Sequence, residues 1–376
     1  MATQTTTAEP IADTHIPTTM RAAVYHGIND MRVETVPVPS IGPGELLVKI
    51  ATCGVCGTDL KKIHFGSHSA PRIFGHEMAG TVVAVGAGVS RFSVGDRVMT
   101  FHHVPCGECY YCRKQTPSQC PLYKKTGVTA GFEPSGGGFA EYIRIMDFVV
   151  NNGGVVPIPE GVPFEQAAFV EPVNTVLKGV KLLNLAADDT VLVIGQGPIG
   201  LMHAVLAGKT GAKVLTSDLY PERHAIAAKY GLKHPIDAGK ENVVERVLAE
   251  TEGRGADAVI LAVGGNALIR TAMDAARHGG RVLLFAQTQH GEVTIDPAAV
   301  CVDEKTLLGS YSSSFGILPE VTDLVFGGYT NGFNLTQLIS HRYALEDAVE
   351  AIDVASHPKA DSMKIMIEPV LGRGAE

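Results

Sequence analysis

Thr190-Val-Leu-Val-Ile-Gly195-Gln-Gly197-Pro-Ile-Gly200 is the stretch on which the fold turns. An apolar, strand-like run ends at Gly195, and the six residues Gly195–Gly200 open a helix. Working outward, the alternation repeats. KVLTSD (213–218) precedes the helical ERHAIAAKYG, and DAVILAVG (257–264) and GRVLLFA (280–286) are again short apolar runs between turn residues. LLGSYSSS (307–314) reads as the last strand of the series. Strands alternating with helices build βαβ units, so the spacing predicts an α/β fold with a doubly wound parallel sheet.

The glycines Gly195, Gly197 and Gly200, with Pro198 and Ile199 between them, match G-x-G-x-x-G in the setting that gives it meaning. The first glycine permits the tight turn. The second lets the backbone approach a pyrophosphate, and the third lets helix pack on strand. The pyrophosphate then rests on the helix N-terminus. The plain alternative is an ordinary βα turn. Asp218 closes the next strand, where a carboxylate accepts both ribose hydroxyls and repels a 2′-phosphate, favouring NAD over NADP. Arg223 stands nearby, and it can hold that phosphate or flank an adenine.

The flanks differ from this centre. Residues 21–150 contain short strand-like runs broken by Gly and Pro, among them ELLVKIATCG, AGTVVAVGAG and AEYIRI, which predicts a compact all-β body. PFEQAAFVEPVNTVLKGVKLL (163–183) carries apolar residues at helical spacing. The tail beyond residue 318 reads as helix, strand and helix ending in the strand-like KIMIEP. It is too short for a further domain and is expected to rejoin the first. The first twenty residues are rich in Thr and Ala and hold no Lys or Arg, which fits neither a secretory signal nor a transit peptide; a disordered leader over 1–20 is expected.

At 376 residues the chain is long for one core, so two domains are expected. A net charge of −8 gives no field that gathers nucleic acid or anionic membrane, and no run is apolar enough for a membrane helix. Seven cysteines, an odd number, point to a reducing compartment, with cytoplasm as the expected location, where clustered thiols bind metal more often than they pair.

Cys106, Cys109, Cys112 and Cys120 follow C-x2-C-x2-C-x7-C. Four thiolates so close can reach one tetrahedral zinc and close it off from substrate, bracing a loop without doing chemistry. An iron–sulfur cluster or two disulfides would use the same cysteines, but nothing else suggests electron transfer or an oxidising compartment. A second group joins Cys53, Cys56, the adjacent His76 and Glu77, and Glu171 on an apolar helical face. Singly, each has a plainer reading: a structural His, a salt-bridged Glu, a redox Cys-x-x-Cys.

Taken in order, CGTD (56–59), GHE (75–77), the four-cysteine loop, VEP (170–172) and the glycine motif resemble the zinc-containing medium-chain dehydrogenase/reductase (alcohol dehydrogenase) family, and most of all its polyol (sorbitol) and threonine dehydrogenase branches. The resemblance covers nearly everything after residue 20. It implies a GroES-like catalytic domain (21–175 and 313–376), a Rossmann NAD-binding domain (176–312), and a catalytic zinc in the cleft between them. By that pattern Cys56, His76 and Glu77 ligate this zinc, while Cys53 stands by. Their two negative charges leave the ion near neutral and still a Lewis acid. Glu171 would add a third, so it is expected to ligate only in the resting enzyme or to contact the zinc-bound water.

The reaction so implied oxidises an alcohol with NAD⁺. Thr58 is placed to accept the alcohol proton, and Asp59 to orient His76. Expected partners are a small polyol, sugar alcohol or secondary alcohol and, as among the relatives, further copies in a homodimer or homotetramer. The rival readings are threonine-type amino-alcohol oxidation and a non-catalytic zinc-binding protein of this fold. Two departures matter. Lys61 stands where many relatives have the His of a proton path, with His64 three residues on. Serines in Ser310-Tyr311-Ser312-Ser313 replace the Arg and Tyr that help hold a polyol in the sorbitol branch. His102 and His103 are candidates to line the cleft.

Overall fold

The structure is a computed structural model that describes residues 16–101, 103–125, 137–286, 291–328 and 333–369. Its first half is built from strands. β1 (Thr19–Gly27), β2 (Asp30–Pro37) and β4 (Arg72–Ile73) form a three-stranded antiparallel sheet, with β3 (Leu46–Gly54) intervening in sequence. β3 instead runs through the middle of a second sheet, paired with β5 (Glu77–Val85) and β7 (Tyr142–Ile145). β5 continues to β6 (Arg97–Thr100) and then β8 (Val155–Pro157). Thr19 and Met20, expected in a disordered leader, belong to β1. Their backbones pair with Pro37 and Val36, and the Met20 side chain is buried in the core. The rest of the leader, residues 1–15, lies outside the described residues.

The second half is the parallel sheet. β9 (Thr190–Ile194), β10 (Lys213–Asp218), β11 (His234–Asp237), β12 (Ala256–Leu261), β13 (Ala276–Leu284) and β14 (Thr306–Gly309) lie in the order β11-β10-β9-β12-β13-β14, every neighbouring pair parallel. β9 is wholly buried, because helices cover both faces of such a sheet. The strand order reverses direction at β9, between β10 and β12, which opens a crevice at its C-terminal end. The architecture is α/β: a β-rich body joined to a doubly wound parallel sheet.

The tail returns to the first body. β15 (Ile339–Ala344) and β16 (Lys364–Glu368) are parallel to each other, and β16 adds antiparallel to β3 through Met366–Gly54 and Ile367–Cys53. One expected limit differs. The strand read over 307–314 stops at Gly309, because Ser312 takes a left-handed φ of 61° and the Ser314 amide bonds Asn174 on a helix instead of a strand. The apolar face of the helix Val170–Leu182 belongs to one cluster containing Ala79 and Met99 on one side and Val191 and Val193 on the other. No helix among the described residues is long and apolar enough to cross a membrane.

Candidate active site

The site begins at the helix Gly57–Phe65, which leaves the end of β3. Cys56 is its N-cap. The Cys56 sulfur accepts the Thr58 amide at 3.5 Å, while the Asp59 carboxylate reaches back to the Cys56 amide at 3.3 Å. Two orphan donors of the first turn are thereby satisfied reciprocally, which fixes the direction of the thiol. The other Asp59 oxygen meets His76 Nδ1 at 3.1 Å, and both side chains are buried. Burial opposes the charge on Asp59, but the imidazole's charge and hydrogen bond outweigh it and hold the carboxyl below its usual range. With Nδ1 so engaged, the His76 ring also bonds Cys56. The donor atoms of Cys56, His76 and Glu77 all lie within 4.8 Å of one another. A thiolate, an imidazole and a carboxylate converging on one point are a donor set that suits zinc.

Glu77 opens β5 and is buried. Its carboxylate accepts a hydrogen bond from the Lys364 ammonium on β16, and Lys364 also donates to the Val55 carbonyl at 3.0 Å. Burial opposes the charge on Lys364, but Glu77 more than offsets it and raises its pKa. The pair passes over Gly54, where an added Cβ would come within 2.6 Å of Lys364 Cε, so only glycine fits there. Nothing in the sequence reading pointed to Lys364. A lysine heading an otherwise apolar strand was the signal available.

Glu171, in the first turn of the helix Val170–Leu182, borders the same cavity but stands outside the three converging donors. Burial first, and the charge of Glu77 second, push its pKa up to about 7. Ser313 donates to it at 3.4 Å. Ser312 meets the Tyr123 hydroxyl at 2.5 Å, and Asn174 exchanges two hydrogen bonds with the Ser314 backbone. These contacts hold residues 312–314 against the cleft. The cavity they border has a volume of 530 Å³. Thr58, Lys61 and His103 line it together with Phe285 and Ala286 at the end of β13. Lys61 crosses the cleft to donate to the Ala286 carbonyl at 3.1 Å. His64 is bound to Asn29 and Ser356 and is absent from the cavity lining, so of the two outer-relay candidates only Lys61 borders the cleft. His103 packs tilted against Tyr123, ring centres 5.0 Å apart, while His102 lies outside the described residues. Cys53 is buried in β3, where burial raises its thiol well above the usual value.

At the C-terminal end of β9, Gly195 takes φ +98° and turns the chain into the helix Pro198–Gly208, capped by Gly197. Open space surrounds the Gly197 Cβ position, whereas a Cβ on Gly200 would strike the Gly195 carbonyl. That cradle of bare backbone at a helix N-terminus suits a pyrophosphate. Asp218 accepts the Gln196 amide at 2.7 Å and the Tyr220 amide at 3.0 Å, and Arg223 lies 3.3 Å away. Arg223 also stacks over Tyr220. Gln196, passed over in the sequence, is buried between Thr216 and His224.

Outside the cavity lining, Cys106, Cys109, Cys112 and Cys120 converge with their sulfurs within 4.8 Å of one another. All four are free, and the Cys109–Cys112 and Cys106–Cys120 sulfur pairs are 3.5 and 3.6 Å apart. Thiolates on a zinc tetrahedron with ~2.3 Å bonds lie about 3.8 Å apart, so the cluster is near the size of that ion.

Two family models match the chain: the alcohol dehydrogenase GroES-like domain over residues 42–160 and the zinc-binding dehydrogenase over 198–327. The sorbitol dehydrogenase of Bacillus subtilis is 30% identical over 94% of this chain and 98% of its own length. The L-threonine 3-dehydrogenase of Mesorhizobium japonicum is 34% identical over 85% of this chain and 91% of its own. Among solved structures, the 2R,3R-butanediol dehydrogenase of Bacillus subtilis superposes with a TM-score of 0.80 at 28% identity, covering 93% of this chain and 99% of that one.

Proposed function

Because the chain belongs to the zinc-dependent medium-chain dehydrogenases, and is an oxidoreductase of alcohols or polyols, we propose that it oxidises a secondary hydroxyl with NAD⁺ in the cleft between its β-rich body and its parallel sheet. The observation that carries this reading is the convergence of Cys56, His76 and Glu77 in the cavity that the end of β13 also borders. When bound there, zinc supplies Lewis acidity toward the alcohol oxygen, and the nicotinamide supplies the hydride acceptor.

The chain's own groups prepare that chemistry. Asp59 fixes the tautomer and direction of His76, and Lys364 fixes Glu77. The Thr58 hydroxyl borders the cavity from the second position of its helix, where it takes the alcohol proton. Glu171, buried and with its proton held more tightly than usual, borders the same cavity, where it would reach a resting metal or the water on it. The Gly195–Gly200 turn seats the coenzyme pyrophosphate, with Pro198 and Ile199 in the turn. Asp218, its Arg223 neighbour charge-paired, faces the ribose and selects NAD over NADP. A second zinc, held by Cys106, Cys109, Cys112 and Cys120, braces its lobe, giving two per chain. We place the enzyme in the cytoplasm on its free, clustered thiols, and as a homodimer or homotetramer by likeness to its relatives.

The test is reduction of NAD⁺ and NADP⁺ over polyols, sugar alcohols, simple secondary alcohols and L-threonine. The expected result is NAD⁺-linked turnover that falls ~10-fold or more in Glu171→Gln. No reduction of either coenzyme by any alcohol refutes the reading. Preference for L-threonine alone favours the amino-alcohol alternative.

A further inference from the structure

The wall of the cavity that faces away from the end of β13 is cationic, and the metal site does not use its charges. Thr58, Lys61 and Lys62 are spaced i, i+3 and i+4 on one helix, so they share a face. All three line the cavity, as do His68 and Arg72. Two carboxylates border the same space, and each is engaged: Glu77 by Lys364 and Glu171 by Ser313. Lys62 and Arg72 pair with no carboxylate among the described residues. Lys62 lies 5.7 Å from the Phe74 ring centre, and Arg72 is steered by two hydrogen bonds to Ser69 at 3.0 and 3.3 Å. The field is strong enough to register on its neighbours. Burial first, and then the charge of Lys62, bring His68 down to about 4 and His103 down to about 3, so both imidazoles are neutral beside these cations.

Cationic side chains that make no ion pair in a half-enclosed cavity favour a ligand that supplies the pairing charge. We propose that the preferred substrate is an anionic alcohol, a phosphorylated or carboxylated polyol or hydroxy acid, whose acidic group is held by Lys62 and Arg72. Thr58 and Lys62 are one helical turn apart, about 5–6 Å of rise, so the acidic group stands a few carbons from the reacting hydroxyl. This inference rests on the dehydrogenase reading above and adds the substrate class to it.

The test compares matched pairs in NAD⁺-linked oxidation: sorbitol with sorbitol 6-phosphate, galactitol with galactitol 1-phosphate, sorbitol with gluconate, and 1-amino-2-propanol with L-threonine. The expected result is kcat/KM at least tenfold higher for the anionic member of at least one pair, and the winning pair distinguishes phosphate from carboxylate. Lys62→Gln and Arg72→Gln should each lower that anionic-to-neutral ratio at least tenfold, through KM for the alcohol. With the unmodified enzyme, which needs no variant to fold, inorganic phosphate should inhibit competitively against a neutral alcohol. Neutral alcohols oxidised as well as or better than every anionic partner would overturn the inference and leave the dehydrogenase intact. So would an unchanged ratio in both variants, or a change confined to KM for NAD⁺, which would assign the cations to the coenzyme. If no alcohol is oxidised with either coenzyme, both readings fall.

Discussion

At the scale of single residues, the Lys364–Glu77 pair is the contact on which the site most depends. Both groups are buried, so removing one strands the other's charge in a low-dielectric interior. Lys364→Ala is expected to cost about 3–5 kcal/mol, measured by denaturant unfolding. Lys364→Ala/Glu77→Gln should recover much of that loss, because no bare carboxylate remains. Recovery of nothing would mean that the lysine acts through packing alone. The pair also marks where sequence reading ends. Cys56, His76 and Glu77 were legible because each sits in a short local motif. Lys364 was not, since its partner is 287 positions away and only the β16–β3 pairing brings the two together.

At the scale of elements, the four-cysteine lobe consists of short pieces, Tyr110–Arg113, Pro117–Gln119 and Pro121–Lys125, none long enough to be stable alone. Order in the lobe therefore has to come from whatever joins its sulfurs. Cys112→Ser is expected to lower the metal content from two zincs per chain to one, read by elemental analysis, and to increase proteolysis within residues 103–125. Metal content unchanged from the parent would sink the two-zinc proposal. Elements are also where pattern misled. Apolar periodicity marked β14 correctly at its start, yet Ser310–Ser314 continued to look strand-like, because serine is neutral as to conformation and the left-handed turn at Ser312 is imposed by Tyr123 and Asn174 from other elements.

At the scale of the molecule, the fold class was readable from alternation alone, but the way the two bodies join was not. Their shared cluster is assembled from residues apolar in any setting, and the helix Val170–Leu182 serves both. The tail adds a pH dependence of its own. Glu368 on β16 shares Arg342 with Glu165, and burial together with Glu165 pushes its pKa up to about 7. The folded carboxyl thus binds its proton more tightly than the unfolded one, near 4.3, so stability is lost as pH rises through that window. Glu368→Gln should raise stability at pH 8 by about 1–2 kcal/mol, residual solvent contact tempering the full shift, with no gain at pH 5. Equal gains at both values would mean that charge is not the cause. A last consequence concerns biosynthesis. Cys56, His76 and Glu77 are translated early, but Glu77 meets its lysine only after the ribosome has passed residue 364. Until then the nascent chain carries Cys56, His76 and a Glu77 without its lysine on a sheet still missing β16. The charge that balances Glu77 is therefore in place only once β16 has been made and has paired with β3.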